Sequence, residues 1–273
     1  MDTVQQDALP IGVFDSGVGG LTVLKALRER LPAEDLIYLG DTARLPYGTK
    51  SPASISRYAG QATALLRAQG IKLLVVACNT ASAVALGSLR AAMKPLPVIG
   101  VVEPGAAAAV AARPAGSHLV LATEATVGLG AYRNAIAAID SEADVREVAC
   151  EMLVSLAEEG WTSGAIAEAI VRRYVDESRA GGFAPDSVIL GCTHFPLLRD
   201  PIAGAFDAHV SIVDSASTTA ARAAELLEAS DILSRSGGSL RLLATDGVRR
   251  FARVGGQFLG ESLDETDVEL VDL

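Results

Sequence analysis

The sequence predicts an α/β protein made of two similar doubly wound parallel-sheet domains, with the active site in the cleft between them. Short β-branched runs alternate with longer Ala- and Leu-rich amphipathic segments, the rhythm of βαβ units in a parallel sheet. This rhythm occurs twice, in two sets of about four strands, which indicates a weak internal repeat. In each set the third strand ends at a cysteine, Cys78 in the first and Cys192 in the second.

The first set of predicted elements begins at residue 11 and ends at residue 102. Strands are expected at short apolar runs, and helices where apolar residues recur every three or four positions. Gly70 is placed to end the second helix. The predicted strands are Ile11–Phe14, Leu36–Leu39, Leu73–Ala77 and Pro97–Val102, and the predicted helices are Gly20–Leu31, Ser54–Gln69 and a third that ends near Met93.

The second set repeats the pattern with longer connections. Its amphipathic segments include Ser163–Glu177 and Ala216–Ala229, which we predict to be helical. The same reasoning gives the strands His118–Ala122, Val145–Val148, Ser187–Leu190 and Val210–Val213.

Two segments lie outside these sets. Glu103–Gly116, which contains two prolines, is the expected passage between the halves. After Ser230, Leu240–Ala244 is a candidate further strand, and the acidic segment Phe258–Leu273 is expected to be peripheral. We therefore predict one domain over residues 9–102 plus 214–273, with a returning C-terminal segment, and a second over residues 103–213.

Composition excludes several classes of function. Half of the 273 residues are hydrophobic and the net charge is −10, which argues against a nucleic-acid surface because phosphates require clustered Lys and Arg. We find no apolar stretch long enough to span a membrane, and Met1–Ala8 is too polar and acidic for a secretory signal. Three cysteines, an odd number in a long chain, give no disulfide framework and favour a reducing cytoplasm.

The cysteines are the strongest candidates for chemistry. Ligands of open α/β sheets bind beyond the carboxyl ends of the strands, where both Cys78 and Cys192 lie and are followed by polar residues. A single buried cysteine more often only packs, but the matched contexts favour function for the pair. A thiol at a helix start also has a lowered pKa. Cys150 lies in an ordinary apolar stretch and is interpreted as structural.

Two ionisable residues accompany the thiols. Asp15 ends an apolar strand, where it would position or deprotonate Cys78 or, equally well, cap a helix. His194 follows Cys192 by two residues and is a candidate proton acceptor for that thiol. His118 and His209 begin strand-like runs and are interpreted as structural.

Other motifs are weak. The glycine-rich residues 17–20 lack the Gly-Lys-Ser/Thr ending of a phosphate loop and depart from the dinucleotide pattern. A cysteine phosphatase needs an arginine six residues after its thiol, but Leu198 occupies that position and Arg199 comes one residue too late. The sequence has no His/Cys cluster at metal-ligand spacing, so we expect no metal.

Four blocks of sequence resemble the glutamate racemases of the aspartate/glutamate racemase superfamily. They are FDSGVGGLTVL (14–24), DTARLPYG (41–48), ACNTAS (77–82) and LGCTHFPLL (190–198), in the family order. The resemblance implies interconversion of L- and D-glutamate without pyridoxal phosphate or any other cofactor, which supplies D-glutamate for peptidoglycan in the cytoplasm. It implies that Cys192 removes the α-proton of L-glutamate and Cys78 that of D-glutamate.

The resemblance also implies the remaining site residues. Asp15 would assist the first thiol and His194 the second, and Asp41 and Glu158 match further family carboxylates. The implied catalytic residues are Cys78, Cys192, Asp15, His194, Asp41 and Glu158, and the implied substrate contacts are Asp15, Ser16, Tyr47, Gly48, Asn79, Thr80, Thr126, Thr193 and His194.

Two other functions stay open from the sequence. One is a racemase for aspartate or another amino acid, and the other is a non-enzymatic two-domain binding protein with incidental thiols. Glutamate is the expected small-molecule partner, with no nucleic acid and no membrane. We also expect a homodimer, although the sequence does not indicate which face forms it.

Overall fold

The computed structural model describes residues 7–273, so most of the predicted polar start Met1–Ala8 lies outside the described residues. Two parallel β-sheets form the framework, which confirms the predicted α/β class. The strands are β1 (Ile11–Asp15), β2 (Leu36–Gly40), β3 (Leu73–Val76), β4 (Val98–Gly100), β5 (Ser117–Ala122), β6 (Asp144–Ala149), β7 (Ser187–Gly191), β8 (Ser211–Asp214), β9 (Leu240–Ala244) and β10 (Val268–Leu270).

Helices connect most of these strands. Short 3₁₀ turns interrupt several of the loops. The α-helices are α1 (Leu21–Arg30), α2 (Pro52–Ala68), α3 (Asn79–Met93), α4 (Val102–Ala112), α5 (Glu124–Gly128), α6 (Ala131–Ile139), α7 (Glu151–Glu158), α8 (Gly164–Ser178), α9 (Arg199–Ala203), α10 (Ser215–Ala229) and α11 (Val248–Leu259).

The two sheets repeat one topology. The first has the order β10-β9-β2-β1-β3-β4 and the second the order β6-β5-β7-β8, so each contains the spatial order second, first, third, fourth strand. In both, the connections reverse direction where the first strand lies beside the third, the place where open α/β sheets bind ligands. We call the first sheet with its helices the first lobe, and the second sheet with its helices the second lobe.

Both faces of the first sheet are covered. Leu73 and Val75 of β3 pack with residues of α1, α10 and α11, whereas Leu74 and Val76 point to the opposite face and pack with α2 and α3. This near-continuous apolar strand is what a parallel sheet buried on both sides requires. The core on the α1 side continues into the second lobe as far as Val188 of β7, so the lobes share an apolar interface.

The structure corrects two predictions. Glu103–Gly116 does lead from the first sheet to the second, but most of it forms the helix α4, which was not predicted and which packs on the second sheet. Phe258–Leu273 is not simply peripheral, because Phe258 is buried and Val268–Leu270 adds an edge strand to the first sheet. The strands of the first lobe come from residues 11–100 and 240–270 and those of the second from 117–214; the boundary residues of the two domains stay a prediction.

A buried ion pair fastens the returning C-terminal segment to the first lobe. Lys72 Nζ lies 2.6 Å from Glu34 Oε2, and both side chains are almost fully buried. The same ammonium donates to the carbonyl of Ile232 at 2.8 Å, and the backbone N–H of Ser234 donates to Glu34 Oε1 at 2.7 Å. The pair therefore holds the chain that leads from α10 to β9.

Replacing Lys72 with methionine should lower the free energy of unfolding by about 3–5 kcal/mol, because it leaves the Glu34 carboxylate buried without its partner. Urea denaturation measures the change. The double variant Lys72→Met, Glu34→Leu should recover most of the loss, since an apolar pair of similar volume replaces both charges. A Lys72→Met protein as stable as the wild type would contradict this account.

Candidate active site

The two predicted thiols lie at equivalent ends of the two sheets. Cys78 follows β3 and is the N-cap of α3, where its sulfur accepts the backbone N–H of Ala81 at 3.4 Å. Cys192 follows β7 in the corresponding position. Both thiols are buried, at 5% and 6% exposure, so each is largely shielded from water.

The surroundings of Cys78 keep it protonated. Its thiol donates to Ser16 Oγ at 3.4 Å, and Asp15, fully buried at the end of the adjacent β1, lies near enough for its charge to act on the sulfur. Burial, with the Asp15 charge adding to it, raises the pKa of Cys78 to about 12, so the lowered pKa predicted from its place at a helix start is wrong for this thiol. Burial also raises the pKa of Asp15, whose Oδ2 accepts the N–H of Gly17 at 2.9 Å.

Cys192 has a histidine as its charged neighbour, where Cys78 has a carboxylate. His194 Nδ1 lies 3.6 Å from the Cys192 sulfur, and His194 Nε2 lies 3.1 Å from Glu158 Oε1. Burial lowers the pKa of His194, but the bonds to Cys192 and Glu158 outweigh it and raise the pKa to about 10. The bond to His194, reinforced by Arg250, holds the pKa of Glu158 at about 2. An imidazolium therefore stands beside this thiol at neutral pH.

Hydrogen bonds between the lobes connect the two half-sites. Thr22 Oγ1 of the first lobe donates to the carbonyl of Thr193 in the second at 2.9 Å, and Asn79 Nδ2 donates to Tyr132 Oη at 2.8 Å. A charge on Cys192 also contributes to the raised pKa of Cys78, and the charge of His194 acts on Asp15. The structure thus brings the predicted residues Asp15, Cys78, Asn79, Cys192 and His194 together.

Hydroxyl and amide groups next to Cys78 continue into the second lobe. Thr80 Oγ1 lies 3.0 Å from Thr123 Oγ1, which lies 3.0 Å from Thr126 Oγ1, so the chain of hydroxyls crosses from one lobe to the other. Asn79 Oδ1 is buried and has no hydrogen-bond partner among the described residues. A Cβ on Gly48 would come within 3.3 Å of the Thr123 side chain, so this loop also lies against the second lobe.

Asp41 has a different environment from the other predicted catalytic residues. Its carboxylate is fully buried and accepts hydrogen bonds from the Tyr47 hydroxyl, the Arg44 guanidinium and Thr245 Oγ1. Burial together with the bond to Asp41 raises the pKa of Tyr47 far above its usual value, so Tyr47 stays a neutral donor. The contacts of Asp41 are those of a residue that orients Tyr47; a catalytic role for Asp41 stays a prediction.

The two lobes approach each other so closely at Gly19 that there is no room for a side chain. A Cβ built at this position would come within 2.5 Å of the His194 ring and would also strike the Thr193 hydroxyl. The glycine-rich turn after β1 therefore serves close packing against the second thiol loop.

Sequence reasoning missed several residues at the site. Thr22 and Tyr132 are in contact with predicted residues across the lobes, and Arg250 and Phe258 belong to a segment whose place was uncertain. Thr123 also belongs to the site but was not assigned to it from the sequence. The only sequence signal for it is that it is a polar residue directly following the strand β5. Contacts between distant segments leave no local pattern.

Residues 7–273 contain neither a candidate membrane span nor a candidate metal cluster. No helix in this range is long and apolar enough to cross a membrane. Nor does the same part of the chain contain a group of three or more His, Cys, Asp or Glu placed to hold a metal ion.

Comparison with known proteins gives the class of protein that this fold and site define. The pattern of the Asp/Glu/hydantoin racemase family matches residues 11–223. The chain therefore belongs to the Asp/Glu/hydantoin racemase family, and it is an isomerase.

Individual proteins similar to this chain indicate which member of the family it is. The glutamate racemase of Geobacter metallireducens is 46% identical over 257 residues, which are 93% of this chain and 94% of that protein. The crystal structure of the Francisella tularensis glutamate racemase, in complex with D-glutamate, has a TM-score of 0.89 and 36% identity and covers 97% of this chain and 98% of its own. The Thermus thermophilus glutamate racemase has a TM-score of 0.86 and 41% identity, with 98% of both chains covered. Within the family, the chain is thus placed among the glutamate racemases.

Replacing Gly19 with alanine should lower kcat/KM by about 100-fold, because the added methyl group displaces the loop that carries Thr193 and His194. Steady-state kinetics measure the loss, and circular dichroism checks that the fold persists. Gly60→Ala in α2 is the matched control, since a Cβ there meets nothing within 4 Å. Wild-type kinetics in Gly19→Ala would show that the loop does not need this close approach.

Proposed function

We propose that this protein interconverts L- and D-glutamate by a two-thiol mechanism that uses no cofactor, and so provides D-glutamate for peptidoglycan. One observation carries the proposal: two buried thiols follow equivalent strands of the two sheets where the lobes are in contact, one beside a carboxylate and the other beside an imidazolium. Inversion of a carbon centre needs a base on one face and an acid on the other, and these opposite surroundings supply both.

The proposed reaction from L-glutamate has two proton transfers. Cys192, as the thiolate stabilised by the His194 imidazolium, takes the α-proton, so the Cα–H bond breaks and an S–H bond forms. The electron pair left at Cα is delocalised into the substrate carboxylate. Cys78 then gives its thiol proton to the opposite face of Cα, which forms D-glutamate and leaves Cys78 as the thiolate. The reverse direction starts from this second state of the enzyme.

Stabilisation of the carbanion-like transition state must come from the cleft, because a thiolate alone is a weak base for an α-proton. The first backbone N–H groups of α3 lie directly beyond Cys78 and favour negative charge on the substrate carboxylate. Asn79 Oδ1 is an acceptor suited to the substrate ammonium, and the Thr80, Thr123 and Thr126 hydroxyls are further donors. Exclusion of water by the two lobes strengthens each of these contacts.

The unequal surroundings also favour one resting state. With Cys78 held as the neutral thiol and Cys192 beside a cation, the free enzyme is prepared for L-glutamate. The two enantiomers have equal free energies, so kcat/KM must be equal in the two directions. The asymmetry should therefore appear in kcat and KM separately.

Deuterium exchange at Cα in D₂O tests the substrate. We expect incorporation of deuterium from both enantiomers of glutamate and none from aspartate. Exchange with aspartate or another amino acid instead would identify a racemase of different specificity. Absence of exchange with every amino acid would leave a binding protein, the alternative in which the thiols are incidental.

Changing Cys78 or Cys192 to alanine should each lower racemisation by at least about 100-fold, because each removes one of the two proton carriers. Cys150→Ala is the control, since that thiol is fully buried and donates to the carbonyl of Val148 at 3.4 Å. Racemisation rates measured by circular dichroism, with unfolding curves for all three variants, decide the outcome. A fully active Cys78→Ala or Cys192→Ala protein would refute the two-base assignment.

Assembly and location are further parts of the proposal. We expect a homodimer, from the resemblance, and a cytoplasmic location, from the free thiols and the role in cell-wall precursor synthesis. Nucleic acid and membrane are not expected partners of so acidic a chain.

A further inference from the structure

A second cation lies behind the His194–Glu158 pair. Glu158 Oε1 is bound to His194 Nε2, and its other oxygen accepts a hydrogen bond from the Arg250 guanidinium at 2.8 Å. The carboxylate is only 18% exposed, whereas Arg250 is 47% exposed. Both oxygens of Glu158 are therefore occupied, one by each cation.

This ion pair joins the two lobes. Glu158 is the last residue of α7 in the second lobe, and Arg250 lies in the first turn of α11 in the returning C-terminal segment. Helix α11 is anchored in the first lobe by Phe251, whose ring centroid lies 6.0 Å from that of Tyr38 in β2. The guanidinium thus holds a carboxylate that belongs to the opposite side of the cleft.

The same helix makes a second contact with the histidine. Phe258, two turns or more beyond Arg250, meets the His194 ring edge-on with centroids 5.1 Å apart. The ring is therefore fixed by α11 in two ways, through Glu158 and through an aromatic contact. A histidine so fixed keeps its Nδ1 directed at the Cys192 sulfur.

We propose that Arg250 is a positioning residue for racemisation: it locks Glu158, and through Glu158 it holds His194 against Cys192 when the two lobes are closed. This inference rests on the proposed function, because it takes Cys192 to be one of the two bases. Arg250 acts through another residue, so its loss should slow the chemical step and leave recognition of the substrate largely intact.

Arg250→Ala tests the inference. We expect kcat to fall by about tenfold or more in both directions, through misplacement of the proton carrier, while KM for each enantiomer changes by less than about twofold. Arg253→Ala, which removes an exposed arginine from the same helix, should leave both constants unchanged. Arg250→Lys should restore part of kcat, because it keeps one charged donor toward Glu158. Wild-type kcat in Arg250→Ala, or a rise in KM that accounts for the whole loss, would overturn the inference.

A double-mutant cycle separates positioning from a general effect on the fold. In a Glu158→Gln background, Arg250→Ala should cause less than about a twofold further loss of kcat, because its target is already neutral. Losses that multiply would overturn the inference. Urea unfolding of Arg250→Ala and Arg253→Ala checks that folded protein is compared in each case.

Failure of this inference differs from failure of the proposed function. If Cys192→Ala is inactive and Arg250→Ala is fully active, only the positioning role is wrong. If Cys192→Ala racemises glutamate normally, the two-thiol mechanism is wrong, and the role of Arg250 falls with it.

Discussion

The proposed two-thiol reaction depends on a difference in charge between the neighbours of its two cysteines. Cys78 is buried next to the Asp15 carboxylate, which disfavours its thiolate, whereas the Cys192 sulfur lies 3.6 Å from Nδ1 of the His194 imidazolium. Low exposure makes both effects stronger than they would be in water. The packing of the two lobes matters for the proposed chemistry because it keeps Asp15 and His194 next to their sulfurs and water away from both.

The repeated fold places the two thiols in equivalent positions, and the side chains beside them give each thiol a different chemical environment. Both sheets have the same strand order, so each thiol follows a third strand beside the end of a first strand. At the first thiol the neighbouring group is Asp15, which comes from the adjacent strand β1. At the second it is His194, which comes from the same loop as the thiol and is held by α7 and α11. In the proposed reaction, the repeated backbone topology places the two thiols, and the different side chains beside them decide which one starts as the acid and which as the base.

The features that the sequence predicted are those encoded by neighbours in the chain. Strands β1 to β9, Gly70 with its positive φ of 76° and the positions of both thiols follow from local periodicity and turn chemistry. The α4 helix was missed because two prolines indicated a linker, although Pro104 lies within the first turn, where proline is tolerated. Arg250 and Phe258 could not be predicted, since 92 residues separate Arg250 from Glu158 and only the folded chain brings them together.

The Arg250–Glu158 pair joins the two lobes, and this has a mechanical consequence. An ion pair in water contributes little, but this one is partly shielded and shares its carboxylate with His194. Separation of the lobes would pull Arg250 from Glu158 and admit water at the same time, so both the pair and the histidine would loosen together. Closure would restore them together. A cleft that opens to exchange glutamate would therefore loosen the contact between His194 and the Cys192 sulfur, and would restore it when the lobes close again.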